Sequence, residues 1–422
     1  MTVYQSFHRP DPAACGCDTA PGLMPVDQAI ARALALVAQV PQVEALPLHA
    51  ATGRVLAHDI AAPVPFPLFD NAAMDGYALR ESDLGGQGPW VLPVAGRVRA
   101  GDAPGVLPPC SAMRILTGAP LPKGADVVIA QENLRRVGEA VAISDRPRAG
   151  QHIRRAGDDL AAGMPLLSAG RIIGAREAAA LAGAGMAQVS VRRRVQVAIL
   201  CSGSELVAPG DALKPGQIWD ANHAMLSAAL DRPWIERIAL PACADEPEAL
   251  REAVADAMAQ ADIVITTGGV SVGDEDHMAA VVKDLGGKAE VMKLALKPGK
   301  PLSIGQVGRA LWLGLPGNPV AAFVTWQVVG QVLAGRMAGF ATPGPAKTLA
   351  ALGEAIQHKP GRCEYRPARV LGHDARGVLR VICLDGAGSH RIAQLAEADA
   401  LVMIPAEAEA MARGDLVEVL PL

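Results

Sequence analysis

Aromatic side chains are scarce. Trp, Tyr and Phe make up 3% of the 422 residues, so alanine, valine and leucine must supply the bulk of any core. Cysteine is sparse too: seven are scattered along the chain, an odd number without framework spacing. That excludes a disulfide scaffold and favours a reducing, cytoplasmic setting. Cys15 and Cys17 form the one close pair, and nearby sequence offers a metal clip no further ligand beyond His8. No apolar run approaches the length of a bilayer span, which disfavours a membrane protein. The opening MTVYQSFHRPDPAACGCD lacks the basic-then-apolar order of a secretory signal and reads as a disordered leader over residues 1–22. Neither charge sign dominates. A formal net charge of −4 argues against nucleic acid as a main partner, although Arg192 to Arg194 form a local basic cluster. Neither a G-x-x-x-x-G-K-[ST] nor a G-x-G-x-x-G stretch follows the glycine-rich strand ends, which disfavours a P-loop or an ordinary dinucleotide site.

What is present is a large, apolar chain. Half the residues are hydrophobic and 19% are charged, a globular composition. The length exceeds what one core serves, so roughly two to four domains are expected. Pro25 to Val37 reads as an amphipathic helix with Asp27 as its N-cap. Prolines and glycines then punctuate short apolar runs to about residue 160, the mark of an irregular, strand-rich region. Helix returns over Arg171 to Ala182. After Arg194, strands alternate with helices: Val195–Leu200, Trp234–Leu240, Ile263–Thr266 and Ala310–Gly314 are strands, and helices run from Ala224, Glu246, His277 and Val320. Such alternation implies a mostly parallel sheet covered on both faces, with ligands outside the carboxyl ends of its strands. Beyond the Pro343-Gly-Pro345 linker, short runs alternate apolar with polar residues, as in a small all-β domain. The expected domains are 23–50 with 160–191, an inserted β-rich unit 51–159, an α/β unit 192–340, and a β unit 345–422.

Several strand ends carry chemistry-bearing residues. In ITTGGVSVGDED, Gly268, Gly269 and Gly273 bare the backbone, Ser271 sits between them, and Asp274, Glu275 and Asp276 follow. Bare N–H groups before a helix suit an anion, the acids suit a divalent cation, and one acid alone would serve as a cap. Asp245 and Glu248 match an acidic capping box, or Asp245 is a metal ligand at a strand end. Ser202, Ser204 and Glu205 in CSGSEL read as ligand contacts or as generic turn chemistry. In LPGNPV, Asn318 and Pro319 explain a helix start; Pro316 and Gly317 need a further reason. Lys293, Lys297 and Lys300 lie in KLALKPGKP with Pro301, either a solvated basic turn or a grip on an oxyanion. In the irregular region, DNAAMDGYA reads as a turn at Asn71 and Asp75-Gly76, and IRRAGDDL as a set of local salt bridges.

In this order, DNAAMDGYA, TGAPLPKGADVV, IRRAGDDL, GGVSVGDEDH, KPGKP and LPGNPV resemble the molybdopterin molybdenumtransferase family, the MoeA proteins and the E domain of gephyrin. The likeness runs from about Leu23 to the C-terminus. It implies a multidomain α/β and β protein, with a doubly wound, MogA-like α/β domain, irregular β-rich N-terminal domains and a small C-terminal β-barrel-like domain. It also implies the last step of molybdenum cofactor assembly: adenylylated molybdopterin and molybdate are the substrates, AMP is released, and Mg²⁺ assists. An elongated homodimer with sites between subunits is implied, and contact with the adenylyltransferase of the preceding step and with cofactor-accepting apoenzymes fits that role. By motif position, Glu205, Asp245 and Asp276 are the metal-binding or catalytic acids. Lys293, Lys297 and Lys300 are the family lysines, the last with Pro301 beside the molybdate pocket. Asp75, Thr117, Arg154 and Asp159 would reach the neighbouring subunit's site. Ser389 in GAGSH and either Arg366 or Arg369 in GRCEYRPAR complete the set. Three departures stand out: Ser204 where the family has an acid, Ala321 where it often has serine, and Ala244 where a charge is common. Two rivals share parts of this pattern, the adenylyltransferase itself and a non-enzymatic scaffold. The long N-terminal half with MDGYA speaks against the first.

Overall fold

The computed structural model describes residues 22–240, 247–268, 277–384, 388 and 390–422. The first helix, Val26–Leu34, starts one residue before Asp27: Pro25 stands at the cap, and its carbonyl accepts from Ala29 N–H at 3.0 Å. Asp27 instead lies in the first turn, where its charge favours the positive end of the helix dipole.

The chain leaves this helix, makes the strand Val43–Pro47, and meets it again far downstream. Val43–Pro47 pairs antiparallel with Gln188–Arg192, and Ile60–Ala61 with Pro165–Leu167. Leu56, Ile173, Leu181, Val189 and Val191 form the core between them. The helix here is Ala175–Gly183, shorter at its start than the apolar pattern suggested. The Gly174 N–H donates to the Glu177 carboxylate at 3.1 Å, which stops the helix from extending back to Arg171.

Between these returning segments lies a six-stranded sheet in the order Val127–Ala130, Gly76–Leu79, Ala112–Ile115, Trp90–Val98, Ala140–Ile143, Leu134–Val137. Its strand Gly76–Leu79 is buried at all four residues, so the GYA of DNAAMDGYA is interior strand, not turn. Gly76 is required there by crowding: a Cβ would stand 2.0 Å from the Ile129 carbonyl oxygen.

The α/β unit holds a six-stranded sheet ordered Ile235–Ile238, Val195–Cys201, Ile263–Thr267, Ala310–Leu315, Pro301–Val307, Lys288–Lys293. The first four strands are parallel, as their alternation with helices requires. Pro301–Val307 runs antiparallel to Ala310–Leu315, joined by a tight turn, and Lys288–Lys293 runs antiparallel to it in turn. Sequence periodicity did not show these two: KAEVMK carries charge on an exposed edge, and PLSIGQV is buried over four successive residues without alternation. Ion pairing anchors the sheet's entry. Arg193 grips Asp262 through two bonds of 2.9 Å, so this arginine of the basic cluster has an internal partner.

The last unit is a closed barrel. Cys363–His373, Leu379–Cys383, Thr348–Leu352, Leu416–Pro421 and Ala400–Ile404 pair in sequence, and the last pairs back with the first. A two-residue strand, Leu296–Lys297, leaves the α/β unit to pair parallel with Cys363–His373. That joint places the KPGKP turn between the two units.

Candidate active site

Three parallel strands end together. The Ser202 N–H donates to the Thr267 carbonyl at 3.1 Å, bringing two of the strand ends side by side. Gly268 has φ +85°, and a Cβ there would stand 2.3 Å from the Ser202 carbonyl oxygen, so only glycine fits. A Cβ on Gly317 would come within 3.8 Å of the Gly268 Cα, which brings the LPGNPV loop alongside. The side chain of Asn222 ties this loop down, its Nδ2 donating to the Gly317 carbonyl at 2.7 Å. Asn222 is buried, and its Oδ1 has no protein partner.

Two cavities open at these ends. The first, about 420 Å³, is lined by Cys201, Gly203, Val207, Asp220, His223 and Leu240 among others. Its walls are mostly apolar, with Asp220 and His223 at one side. Burial, eased by a Thr267 hydrogen bond and reinforced by the Asp220 charge, pushes the Cys201 thiol up to about 12. At neutral pH it stays a thiol and is no nucleophile. Glu205 is exposed, with its carboxylate folded back over Gly203, which lines this cavity.

The second cavity, about 370 Å³, is cationic. Lys297, Pro298, Gly299, Lys300 and Pro301 face Pro316, Gly317, Asn318 and Ala321 across it, and Arg362 closes the side. Asn318 stands at the helix N-cap position but makes no capping bond with its side chain, and Pro319 opens the helix. The Asn318 amide thus remains available to the cavity. Ala321 faces the same space with no hydroxyl to offer. Lysines from one turn, an arginine from the barrel and a helix start form an anion-binding combination.

Arg362 is the residue that motif reading missed. Arg366 binds the Glu364 carboxylate at 3.0 and 3.1 Å and donates to the Gln357 carbonyl at 2.7 Å. Arg369 lies on the opposite face of the strand, paired with Glu397 at 2.9 Å. Neither lines the cavity. The available signal was the Pro360-Gly361 turn, which leaves Arg362 just before the strand, at the joint with the KPGKP loop.

Lys293 is exposed on the edge strand, in register with Pro301, and lines neither cavity. Asp245, Asp276, Gly269, Ser271, Gly273 and Ser389, with Asp274, Glu275 and the Cys15/Cys17 leader, lie outside the described residues.

The N-terminal candidates form their own group. The Asp75 Oδ1 accepts from both the Thr117 N–H, at 2.8 Å, and the Thr117 hydroxyl, at 2.7 Å. Those two bonds hold the Asp75 carboxyl below its ordinary range. Arg154 pairs its backbone with Asn71, and the Asp159 N–H donates to the Phe66 carbonyl at 2.9 Å. The aspartate–arginine bridge of IRRAGDDL is not local: Arg155 reaches Asp70 at 2.6 Å, 85 residues away, while the Ala156 N–H donates to the same carboxylate. DNAAMDGYA, TGAPLP and IRRAGDDL therefore fold into one surface. Among the described residues, Asp75, Thr117, Arg154 and Asp159 line neither of the two cavities of the α/β unit.

Comparison with known proteins finds relatives over most of the chain. Family models match over residues 24–185, described as "MoeA N-terminal region (domain I and II)", over 198–335, "Probable molybdopterin binding domain", and over 350–422, "MoeA C-terminal region (domain IV)". The molybdopterin molybdenumtransferase 2 of Mycobacterium tuberculosis is 37% identical over 388 residues, covering 89% of this chain and 94% of that protein. The molybdopterin molybdenumtransferase of Haemophilus influenzae is 34% identical over 404 residues, 94% of this chain and 98% of that protein. A crystal structure of the molybdopterin biosynthesis MoeA protein from Pyrococcus horikoshii superposes with a TM-score of 0.81 at 28% identity, covering 95% of this chain and all of that one.

Proposed function

Because the chain belongs to the molybdopterin molybdenumtransferase family, we propose that it inserts molybdenum from molybdate into adenylylated molybdopterin and releases AMP. One observation carries this reading: the cavity in which Lys297, Lys300 and Arg362 converge beside the Pro316-Gly317-Asn318 helix start. A small tetrahedral dianion suits three cations and backbone N–H donors better than a pterin or a sugar would. The apolar cavity of about 420 Å³ at the end of the Val195–Cys201 strand has the size and character for the organic part of the substrate. Holding the oxyanion and the organic substrate side by side on rigid strand ends converts a bimolecular encounter into a placed one. Lys297, Lys300 and Arg362 offset the oxyanion's charge and fix its orientation, and the buried Asn222 keeps the Gly317 loop of that cavity in place.

The family also implies Mg²⁺. Among the described residues, no three of His, Cys, Asp and Glu come together as a metal site. Glu205 is the described member of the implied acid set, and a carboxylate beside the first cavity has the hard-oxygen chemistry that Mg²⁺ takes. Glu205 would hold the ion with Asp245 and Asp276, and the ion would offset phosphate charge as AMP departs.

Among the described residues, Asp75, Thr117, Arg154 and Asp159 line neither cavity of the α/β unit, and they are assigned to the site of a second copy in a homodimer. The adenylyltransferase of the preceding step and the apoenzymes that receive the cofactor are the expected partners. No helix among the described residues is long and apolar enough to cross a membrane. A cytoplasmic setting agrees with the free thiols of Cys110, Cys201, Cys363 and Cys383.

The test is AMP release from adenylylated molybdopterin by the purified protein, with molybdate or tungstate supplied in turn. Release that depends on the oxyanion supports the reading. ATP consumption with accumulation of adenylylated pterin would assign the preceding step instead, and no turnover of either kind would leave a scaffold.

A further inference from the structure

Glu364 has no exposed side-chain surface, yet it is a full carboxylate at the joint between the barrel and the α/β unit. Its Oε1 faces the Lys297 Nζ at 3.1 Å and the Arg366 Nε at 3.0 Å. Its Oε2 faces an Arg366 terminal nitrogen at 3.1 Å and the His358 Nε2 at 3.5 Å. The His358 Nδ1 lies 2.7 Å from the Ala408 carbonyl, which can only accept, so Nδ1 carries a hydrogen and Nε2 is the nitrogen turned to Glu364. Burial pushes the Glu364 carboxyl up, but Arg366 and then Lys297 outweigh it and hold it below its ordinary range.

The backbone enforces the same meeting. Lys297 and Glu364 are register partners in the parallel pairing of Leu296–Lys297 with Cys363–His373. Lys297 also lines the cationic cavity, and Glu364 does not. The Lys297 ammonium is therefore held by the opposite charge of Glu364 on one side and faces the cavity on the other.

We propose that Glu364 is a positioning residue for the oxyanion. From the barrel it fixes the Lys297 ammonium at the cavity wall, so that an oxyanion meets a cation whose flexible four-carbon stem is already ordered. A lysine free at that position would lose its rotamer freedom on each binding event, and affinity would fall accordingly. Arg366 acts behind Glu364 and touches no ligand; its role is to keep the buried carboxylate ionised and in place. The inference rests on the reading of Lys297 as an oxyanion residue.

The experiment compares Glu364→Gln, Glu364→Asp, Lys297→Met and the Lys297→Met/Glu364→Gln pair, in AMP release and in titration of each protein with molybdate alone. Glu364→Gln is expected to raise the molybdate KM about tenfold, the scale of one displaced charge-assisted contact, with kcat at saturating molybdate and the pterin KM retained. Glu364→Asp keeps the charge and is expected to fall between wild type and Gln. In the Lys297→Met background, Glu364→Gln is expected to add nothing, because the group it positions is gone. An unchanged molybdate KM, a loss confined to kcat, or additive effects in the pair would each overturn the positioning role. If Glu364→Gln melts before assay temperature, Glu364→Asp decides by the same criteria. Wild-type protein without molybdate dependence, or Lys297→Met with an unchanged molybdate KM, would sink the functional reading itself and leave the ion pair purely architectural.

Discussion

At the scale of single residues, the sequence shows types but not partners. Asp75 sits in a stretch whose composition reads as a turn, and its partner Thr117 lies 42 positions on; only folding reveals that one carboxylate oxygen takes both Thr117 donors. The pair is exposed, so its bonds contribute little to stability but define where the carboxylate points. Thr117→Val removes the hydroxyl and keeps the N–H and the shape. The expected outcome is a Tm within about a degree of wild type, since surface changes stay near ±0.5 kcal/mol. Turnover, measured as AMP release, is expected to fall about tenfold as Asp75 loses half its anchorage. A fall in Tm without a fall in turnover would show the bond to be a fold element only. The arginines of GRCEYRPAR teach the same lesson through strand geometry. Side chains alternate with a period of two, so Glu364 and Arg366 share a face while Arg369 takes the other. Arg362 precedes the strand and escapes this alternation, and the cavity is built on it.

Whole elements were more legible. Parallel strands capped by glycine loops stood out because a buried strand followed by bare backbone and a helix start is a local pattern, and the four parallel strands appear where that pattern placed them. The antiparallel Lys288–Lys293 strand did not stand out, since an exposed edge strand carries charges that blur its alternation, and Pro301–Val307, buried from Leu302 to Gly305, shows no alternation at all. Gly76 marks the limit of reading glycine as turn. Gly76→Ala would push a methyl carbon to 2.0 Å from the Ile129 carbonyl oxygen inside a fully buried strand, so something must move. Overpacking of this kind costs about 1–3 kcal/mol, and a chemical melt of the variant is expected to show that loss. Acid acts on a different element, the barrel joint. Glu364 has a depressed folded-state pKa, with Lys297, Arg366 and His358 facing it. Its contribution to stability is therefore complete above the unfolded glutamate value, near pH 4.3, and lost as pH falls through the lower folded value. The expected result is a Tm that drops more steeply below about pH 4.3 in wild type than in Glu364→Gln, which has no proton to take up. Parallel melting curves across that range would show that the ion cluster does not hold the joint.

For the whole molecule the decisive fact is a separation. Within one chain, the surface formed by Asp75, Thr117, Arg154 and Asp159 makes no described contact with the cavity of Lys297, Lys300 and Arg362. If both sets serve one reaction, they must meet between copies, and a two-fold dimer would then build two identical sites, each from both chains. Such an arrangement has a consequence that a self-contained site lacks. Asp75→Asn and the double variant Lys297→Met/Lys300→Met each disable one half of a site, so each homodimer is expected to be inactive. When the two variants are unfolded and refolded together, half the dimers are mixed. Each mixed dimer holds one site with both defects and one with neither. The mixture is expected to recover about a quarter of wild-type AMP release, from half the dimers at one site of two. Activity no greater than the sum of the separate variants would place each site within a single chain and remove the Asp75 group from the chemistry.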